Sequence, residues 1–433
     1  MKTKIAINGF GRIGRNAFKI AFERSDLEVV AINDLTDTKT LAHLLRHDSN
    51  YGTYQHQVSF DEQNLLIENQ KIQVLAEKEP ANLPWRDLGV EIVIESTGLF
   101  VDPAKARAHL DAGARKVIIS APAKGEGATT IVIGVNEDKL DGAEDIISSA
   151  SCTTNCITPI AAIIEDKFGI EKAIMTTVHS YTASQRLQDA PAKDLREARN
   201  AASNIVPTTT GASVAAAQAL PALQGIFGGL SIRVPTPVVS LCDFAILTKH
   251  DVTVEEVNEA FKQAAADPYF QGILTTTEEE LVSTDFIGNS HSAIVDLKLT
   301  NVVGGNLLKV VAWYDNEWGY SNRLIELTAD AANWLHEKGD LLSKQATPIS
   351  PKQIDEETAA SPVQQPMDAT YEIKQPEEQL LEAPESSREE FLPPVSHRTE
   401  DRYDLGGESG KQTKPEAKLF GNFDAPADND QSS

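Results

Sequence analysis

The chain has 433 residues, 41% hydrophobic and 24% charged, with a net charge of −25. That length exceeds one ordinary core and predicts two or three domains. The acidic balance excludes the footprint of a nucleic-acid or anionic-membrane binder, and three cysteines are too few for a disulfide framework and point to a reducing, cytoplasmic setting.

The opening MKTKIAINGFGRIGR has an apolar run of about six residues, too short for the core of a secretory signal. KIAING reads as a strand, GFGRIGRNAFKIAFER as a glycine turn and helix, and LEVVAIND as a second strand. VEIVIESTG, RKVIIS and TTIVIGV are further apolar, β-branched runs, the pattern of strands buried on both faces. TKTLAHLLRH and DPAKARAHLDAG read as helices between strands, which gives the βαβ rhythm of a parallel sheet over residues 1–150.

Gly9, Gly11 and Gly14 form GxGxxG directly after the first strand and at the start of a helix. The second strand ends in Asn33-Asp34, twenty residues past Gly14. In that context the pattern is a dinucleotide fingerprint. The glycines admit a pyrophosphate close to the backbone, the helix N-terminus faces the anion, and Asp34 accepts from ribose hydroxyls and repels a 2′-phosphate.

From Cys152 the character changes. CITPIAAIIEDKFG reads as a helix, with Cys152 at its start and Ser151, Thr153 and Thr154 as capping or anion-binding hydroxyls. A helix N-terminus favours a thiolate, so Cys152 is a candidate nucleophile. Cys156, one turn on, and Cys242, in an apolar strand, read as packed core. KAIMTTVHSYT, GLSIRVPTPVVSLCDFAILTK, SAIVDLKLTNVV and NLLKVVAWYD read as longer strands of a mostly antiparallel sheet. His179 closes the first of these and is the candidate base. Residues 200–232 hold no charge, and about 20 apolar residues can span a bilayer. Pro207, Pro221, a TTTG run and several glycines argue instead for a polar loop and a buried Ala-rich helix, so no membrane partner is expected. VTVEEVNEAFKQAAAD is a helix with a capping box from Thr253 to Glu256. SNRLIELTADAANWLHEK closes the core as a helix over about 320–337.

From about 340 the composition breaks. Ten of the 21 prolines and five aromatics fall there, among acidic residues, Ser and Gln. Such a segment cannot repay the entropy of ordering, and residues 340–433 read as a disordered tail. It reads either as a solvating tail or as a partner-docking one, the latter on Leu419, Phe420 and Phe423 of the terminal KLFGNF. No cysteine pair or Cys/His spacing suggests a metal site.

SASCTTNC, VHSYT, the TTTGA at 208–212, RVPTP at 233–237 and WYDNEWGYSN at 313–322 follow NGFGRIGR in that order. The chain thereby resembles the phosphorylating glyceraldehyde-3-phosphate dehydrogenase family over residues 2 to about 335. The resemblance implies an α/β architecture: a doubly wound Rossmann cofactor domain at 1–150, joined by the C-terminal helix 315–337, and an α+β catalytic domain at 151–314. It implies Cys152 as nucleophile and His179 as base. It implies Ser151, Thr153, Thr210 and Gly211 around the attacking phosphate, and Thr182 and Arg233 around the phosphate of glyceraldehyde 3-phosphate, Arg233 serving both. For the cofactor it implies Arg12 and Ile13 at the pyrophosphate turn with Gly9, Gly11 and Gly14. Asp34 falls on the adenosine ribose, Lys78 and Ser120 along the groove, and Asn316 on the nicotinamide carboxamide. Asp34 and the Asp-Ala-Pro at 189–191 resemble the NAD-specific arrangement. The family is homotetrameric, with residues 182–203 at a subunit interface. Sister readings on this scaffold are an erythrose-4-phosphate dehydrogenase and an NADP-preferring form; a third is a binding protein acting through its tail. Val238 and the lysine-free SVAAAQAL depart from the family pattern away from any reacting group. Certain plastid relatives carry a tail with a regulatory cysteine pair, which this tail lacks.

Overall fold

The computed structural model describes residues 2–345. Its first sheet has nine strands in the order Thr129–Thr130, Ile146–Ser148, Lys116–Ile119, Ile92–Glu95, Thr3–Asn8, Leu27–Asn33, Gln70–Leu75, Asn64–Ile67, Val58–Phe60. The first seven pair in parallel, and the last two extend the edge as an antiparallel hairpin. The two strands Ile92–Glu95 and Lys116–Ile119 are buried at every position, their apolar residues packed on both faces and the charged Glu95 and Lys116 buried with them. The chain leaves Thr3–Asn8 for its neighbour Leu27–Asn33 on one side and later returns to Ile92–Glu95 on the other. This reversal opens a crevice at the carboxyl ends of the three strands, where doubly wound sheets bind their ligands.

The second sheet runs Val206–Thr208, Phe227–Val234, Ile170–Ser180, Ser240–Thr248, Leu307–Tyr314, Ala293–Asp296, Leu274–Thr277, with Asn301–Val303 also on Leu307–Tyr314. It is mostly antiparallel; two pairings are parallel. The helix Cys152–Phe168 lies on it, burying Ile157, Ile160 and Ile164 against Cys242, Phe244, Ile246 and Val310. Each fully buried isoleucine contributes about 1.5–3 kcal/mol, which holds the helix and its first residue in place.

Four expectations change. The run GLSIRVPTPVVSLCDFAILTK is two strands, Phe227–Val234 and Ser240–Thr248, on opposite sides of Ile170–Ser180. Pro235 and Pro237 have no N–H for a ladder, and Val239 turns at a left-handed φ of 71°. SAIVDLKLTNVV is likewise broken by a turn at Leu297–Leu299. TTIVIGV pairs only through Thr129–Thr130; its apolar residues bury in a loop, where Val132 N donates to Asn136 Oδ1 at 2.8 Å. DPAKARAHLDAG forms two short turns, Pro103–Ala106 and Ala108–Asp111, instead of one helix.

The last helix spans Trp318–Gln345; it starts within the expected range and runs past the expected end at 337, six residues into the segment expected as tail. No proline lies between Trp318 and Pro348 to interrupt it. The helix returns to the first sheet: Leu324, Leu327 and Ala331 join Phe18, Ile5 and Ile94 in one cluster. The tail expectation from residue 346 on lies outside the described residues. Among the described residues no helix is long and apolar enough to cross a membrane; the uncharged stretch holds the buried helix Ala212–Ala219.

Candidate active site

The glycine turn sits where the first strand ends. Gly9 has φ +93°, and a Cβ there would lie 2.7 Å from Thr97 N. A Cβ on Gly14 would meet the Gly9 carbonyl oxygen at 2.1 Å, so only glycine lets helix and turn close. On Gly11 a Cβ would meet nothing within 4 Å, so it would project into open space. The helix Arg12–Phe22 starts here with no side-chain cap, leaving its first N–H groups for an anion. Asp34 is held beside the turn, its carboxylate accepting from Phe10 N at 2.8 Å and Thr36 N at 3.0 Å. A cleft of about 500 Å³ runs over Gly9, Gly11, Asp34, Lys78, Thr97 and Phe100. Glycines, free helix-end donors and a ribose-height carboxylate fit a dinucleotide. The Arg12 guanidinium is committed to Asp48 and Glu317, so it is the backbone N–H of Arg12 and Ile13 that remains for a ligand.

The cleft continues into a cavity of about 700 Å³ around Cys152. Cys152 is the first residue of its helix, and the N-cap Ser151 Oγ accepts from Thr154 N at 3.0 Å. Ala150, fully buried just before, takes a left-handed φ of 54°, a conformation that costs a non-glycine residue about 1–2 kcal/mol. The turn into the helix is thus held against local preference, as at functional sites.

Cys152 Sγ lies 3.5 Å from His179 Nε2. His179 ends the strand Ile170–Ser180, and its Nδ1–H donates to Ser180 O at 2.8 Å. That bond places the ring proton on Nδ1 and turns the Nε2 lone pair to the thiol. Burial pushes the Cys152 thiol up, to about 11, against the pull of the Arg233 charge. Burial holds the His179 imidazole down, to about 3, and the Arg233 charge adds to this. Singly, each group prefers its neutral form. Moving the proton from Sγ to Nε2 creates opposite charges 3.5 Å apart at a helix N-terminus, and each then stabilises the other.

Arg233 is the direct cross-strand neighbour of His179. Its Nε and Nη1 are buried without a protein partner, so a guanidinium waits for an anion in this cavity. Ser151, Thr153, Thr182, Thr210 and Gly211 line the same space. Thr210 Oγ1 accepts from Ala212 N at 3.1 Å, at the start of the helix Ala212–Ala219. Ser120 and Asn316 also reach this cavity, whereas Lys78 stands at the other end of the cleft. Of the expected catalytic, substrate and cofactor residues, all but Gly14, which packs against the Gly9 carbonyl, therefore line one continuous groove.

Sequence reasoning missed the residues that orient these groups. Asn316 Oδ1 accepts from Ser180 Oγ at 3.0 Å and Ser240 Oγ at 3.2 Å, which leaves its Nδ2 for a ligand. Tyr314 OH sits 2.9 Å from Thr153 Oγ1 and from Thr177 Oγ1, with its ring edge on His179. Tyr320 lines the cavity and donates to Ala150 O at 3.1 Å. Tyr314 and Tyr320 flank Asn316 in WYDNEWGYSN, the one signal that marks them. Cys156 and Cys242 are buried free thiols.

Residues 3–103 match the family model for the NAD binding domain of glyceraldehyde 3-phosphate dehydrogenase, and residues 151–316 match that for its C-terminal domain. The chain is 53% identical over 334 residues to glyceraldehyde-3-phosphate dehydrogenase of Geobacillus stearothermophilus, covering 77% of this chain and 99% of the relative. It is 54% identical over 330 residues to glyceraldehyde-3-phosphate dehydrogenase 1 of Bacillus subtilis, covering 76% and 98%. With the Streptomyces coelicolor enzyme of that name it shares 51% over 337 residues, 77% and 100%. By these matches and by the groove that carries the motifs, the chain belongs to the glyceraldehyde-3-phosphate dehydrogenase family.

Proposed function

We propose that this chain oxidises D-glyceraldehyde 3-phosphate with NAD and inorganic phosphate, giving 1,3-bisphosphoglycerate in glycolysis. The observation that carries the reading is the Cys152–His179 pair at 3.5 Å beside the unpaired Arg233 guanidinium, at the end of a dinucleotide cleft.

Nε2 of His179 takes the thiol proton, and Sγ of Cys152 bonds to the aldehyde carbon. The carbonyl π electrons become an alkoxide, which takes that proton back from Nε2 of His179 to give the thiohemiacetal. His179 then takes the hydroxyl proton as the hydrogen on that carbon departs with its electron pair, leaving a thioester. Bound NAD supplies the acceptor for that hydride. A phosphate oxygen attacks the thioester carbon, the C–S bond breaks, and Sγ leaves as thiolate beside the His179 imidazolium, with the acyl phosphate and the proton of the attacking phosphate released.

Arg233 and Thr182 hold the C3 phosphate, and Arg233 with Ser151, Thr153, Thr210 and Gly211 holds the attacking phosphate; a guanidinium fork suits both. Gly9, Gly11, Gly14, Arg12 and Ile13 cradle the pyrophosphate by backbone contacts. Asp34 takes the adenosine ribose, Lys78 and Ser120 flank the groove, and Asn316 Nδ2 holds the carboxamide. In this scheme residues 1–150 with the closing helix are the cofactor domain and 151–314 the catalytic domain. The chain works as a cytoplasmic homotetramer with residues 182–203 at an interface; the exposed Leu187 and Leu195 in that segment support this.

The test is NADH formation from glyceraldehyde 3-phosphate and NAD, with and without phosphate, for wild type and Cys152→Ala. A phosphate-dependent rate absent from the variant is expected. A rate indifferent to phosphate would send the thioester to water and overturn the acyl-phosphate product.

A further inference from the structure

Behind the cleft, three buried side chains form a hydrogen-bonded line that the chemistry above does not use. Trp85, His109 and Glu95 are each at most 1% exposed, and none lines the cleft. An indole N–H can only donate. Trp85 Nε1 lies 3.0 Å from His109 Nδ1, so that ring nitrogen accepts. The neutral imidazole then carries its proton on Nε2, 3.1 Å from Glu95 Oε2. A carboxylate can only accept. Asn8 Nδ2 donates to the same oxygen at 2.5 Å, and Thr97 donates its N–H, at 2.8 Å, and its hydroxyl to Oε1.

With its amino group engaged, Asn8 offers Oδ1 to Asn33 Nδ2 at 2.7 Å. Asn33 in turn clasps the backbone of Glu77, donating to its carbonyl and accepting from its N–H, both at 2.9 Å. Thr97 Oγ1 accepts from Leu99 N at 3.0 Å. The donor-only indole at one end and the acceptor-only carboxylate in the middle leave no second arrangement for these groups. Three segments that line the cleft, at 33–34, 77–78 and 97–99, therefore hang on one buried carboxylate.

We propose that Trp85, His109 and Glu95 are positioning residues: their relay sets the cleft wall, and affinity for NAD depends on three side chains that do not touch it. The proposal rests on the reading of the cleft as a dinucleotide site. Of these segments only Thr97 also borders the cavity around Cys152, and none carries a reacting group, so the relay acts on cofactor binding and not on the thiol chemistry.

The discriminating pair is His109→Leu and His109→Gln. Gln can accept from the indole and donate to Glu95; Leu can do neither. NAD binding is measured by titration calorimetry on the ligand-free protein, beside steady-state kinetics. For His109→Leu, Kd and KM for NAD rise about tenfold, the cost of one buried carboxylate losing a donor, while kcat at saturating NAD stays within about twofold. His109→Gln restores Kd to within about threefold of wild type. An unchanged Kd in a folded His109→Leu overturns the proposal, as does a His109→Gln no better than His109→Leu. If His109→Leu does not fold, Trp85→Phe removes one donor and keeps the ring; a Kd rise of about threefold is expected and an unchanged Kd overturns the relay. A wild-type protein that binds no NAD would instead overturn the dinucleotide reading itself.

Discussion

Replacing Arg233 by Met should make the ligand-free protein more stable and the enzyme far slower. The guanidinium Nε and Nη1 are buried with no protein acceptor. Each unmet donor costs about 1–3 kcal/mol in a dry site. Arg233 borders a cavity of about 700 Å³, where water can enter and repay most of that cost. The gain left for Met, which keeps the apolar stem, is about 1 kcal/mol. The same two N–H groups, aimed at phosphate, are charge-assisted donors worth about 1.5–3 kcal/mol each. Taking the lower value for each, the variant forfeits about 3 kcal/mol of substrate binding, a factor of about 10² in kcat/KM. The imidazole also rises, since the Arg233 charge helps hold it down, and the thiol rises because the same charge pulls it down. Thermal unfolding of the ligand-free protein and kcat/KM for both glyceraldehyde 3-phosphate and phosphate are the assays. A variant that unfolds earlier than wild type, or that keeps its kcat/KM for both anions, would refute the reasoning that an unpaired guanidinium is stored here for them.

Other outcomes follow from the same geometry. In His179→Asn, Cys152 loses the partner at 3.5 Å that takes its proton but keeps the burial that pushes its thiol up, so alkylation by iodoacetamide should need more alkaline pH than in wild type; equal pH profiles would deny the pair its role. Asp34→Ala frees Phe10 N and Thr36 N and removes the charge that repels a 2′-phosphate; KM for NAD should rise about tenfold and the preference over NADP should shrink. Thr253→Ala breaks the capping box, in which Thr253 Oγ1 accepts from Glu256 N at 3.2 Å and Thr253 N donates to Glu256 Oε2 at 2.9 Å. It should cost about 1 kcal/mol in denaturant unfolding and leave kcat untouched.

The strongest readings from the chain were those whose physics spans a few residues. The Thr253 cap, the helix opening at Cys152 under Ser151, and the glycine turn at Gly9 each depend on neighbours within about one helical turn or on one residue's own φ. The run at 229–249 shows the limit. Its apolar pattern suited one long strand, and the two prolines inside it were the overlooked signal that the ladder must break. The roles given to Arg233, Thr182 and Thr210 came from resemblance, because nothing local distinguishes an arginine that waits for phosphate from one on a solvated face.

By itself the sequence determined the parallel and antiparallel halves, the dinucleotide turn and the nucleophile at a helix start, because period, capping and glycine conformations are local. Only the tertiary structure decided that Cys152 meets His179 at 3.5 Å, that Arg233 is its register neighbour without a partner, and that Ser180 and Ser240 turn Asn316 to the cleft. It alone joined Trp85, His109 and Glu95 behind the cofactor wall. Those contacts join segments between 14 and 136 residues apart, and their geometry is set by strand register and core packing, which no short stretch of chain encodes alone.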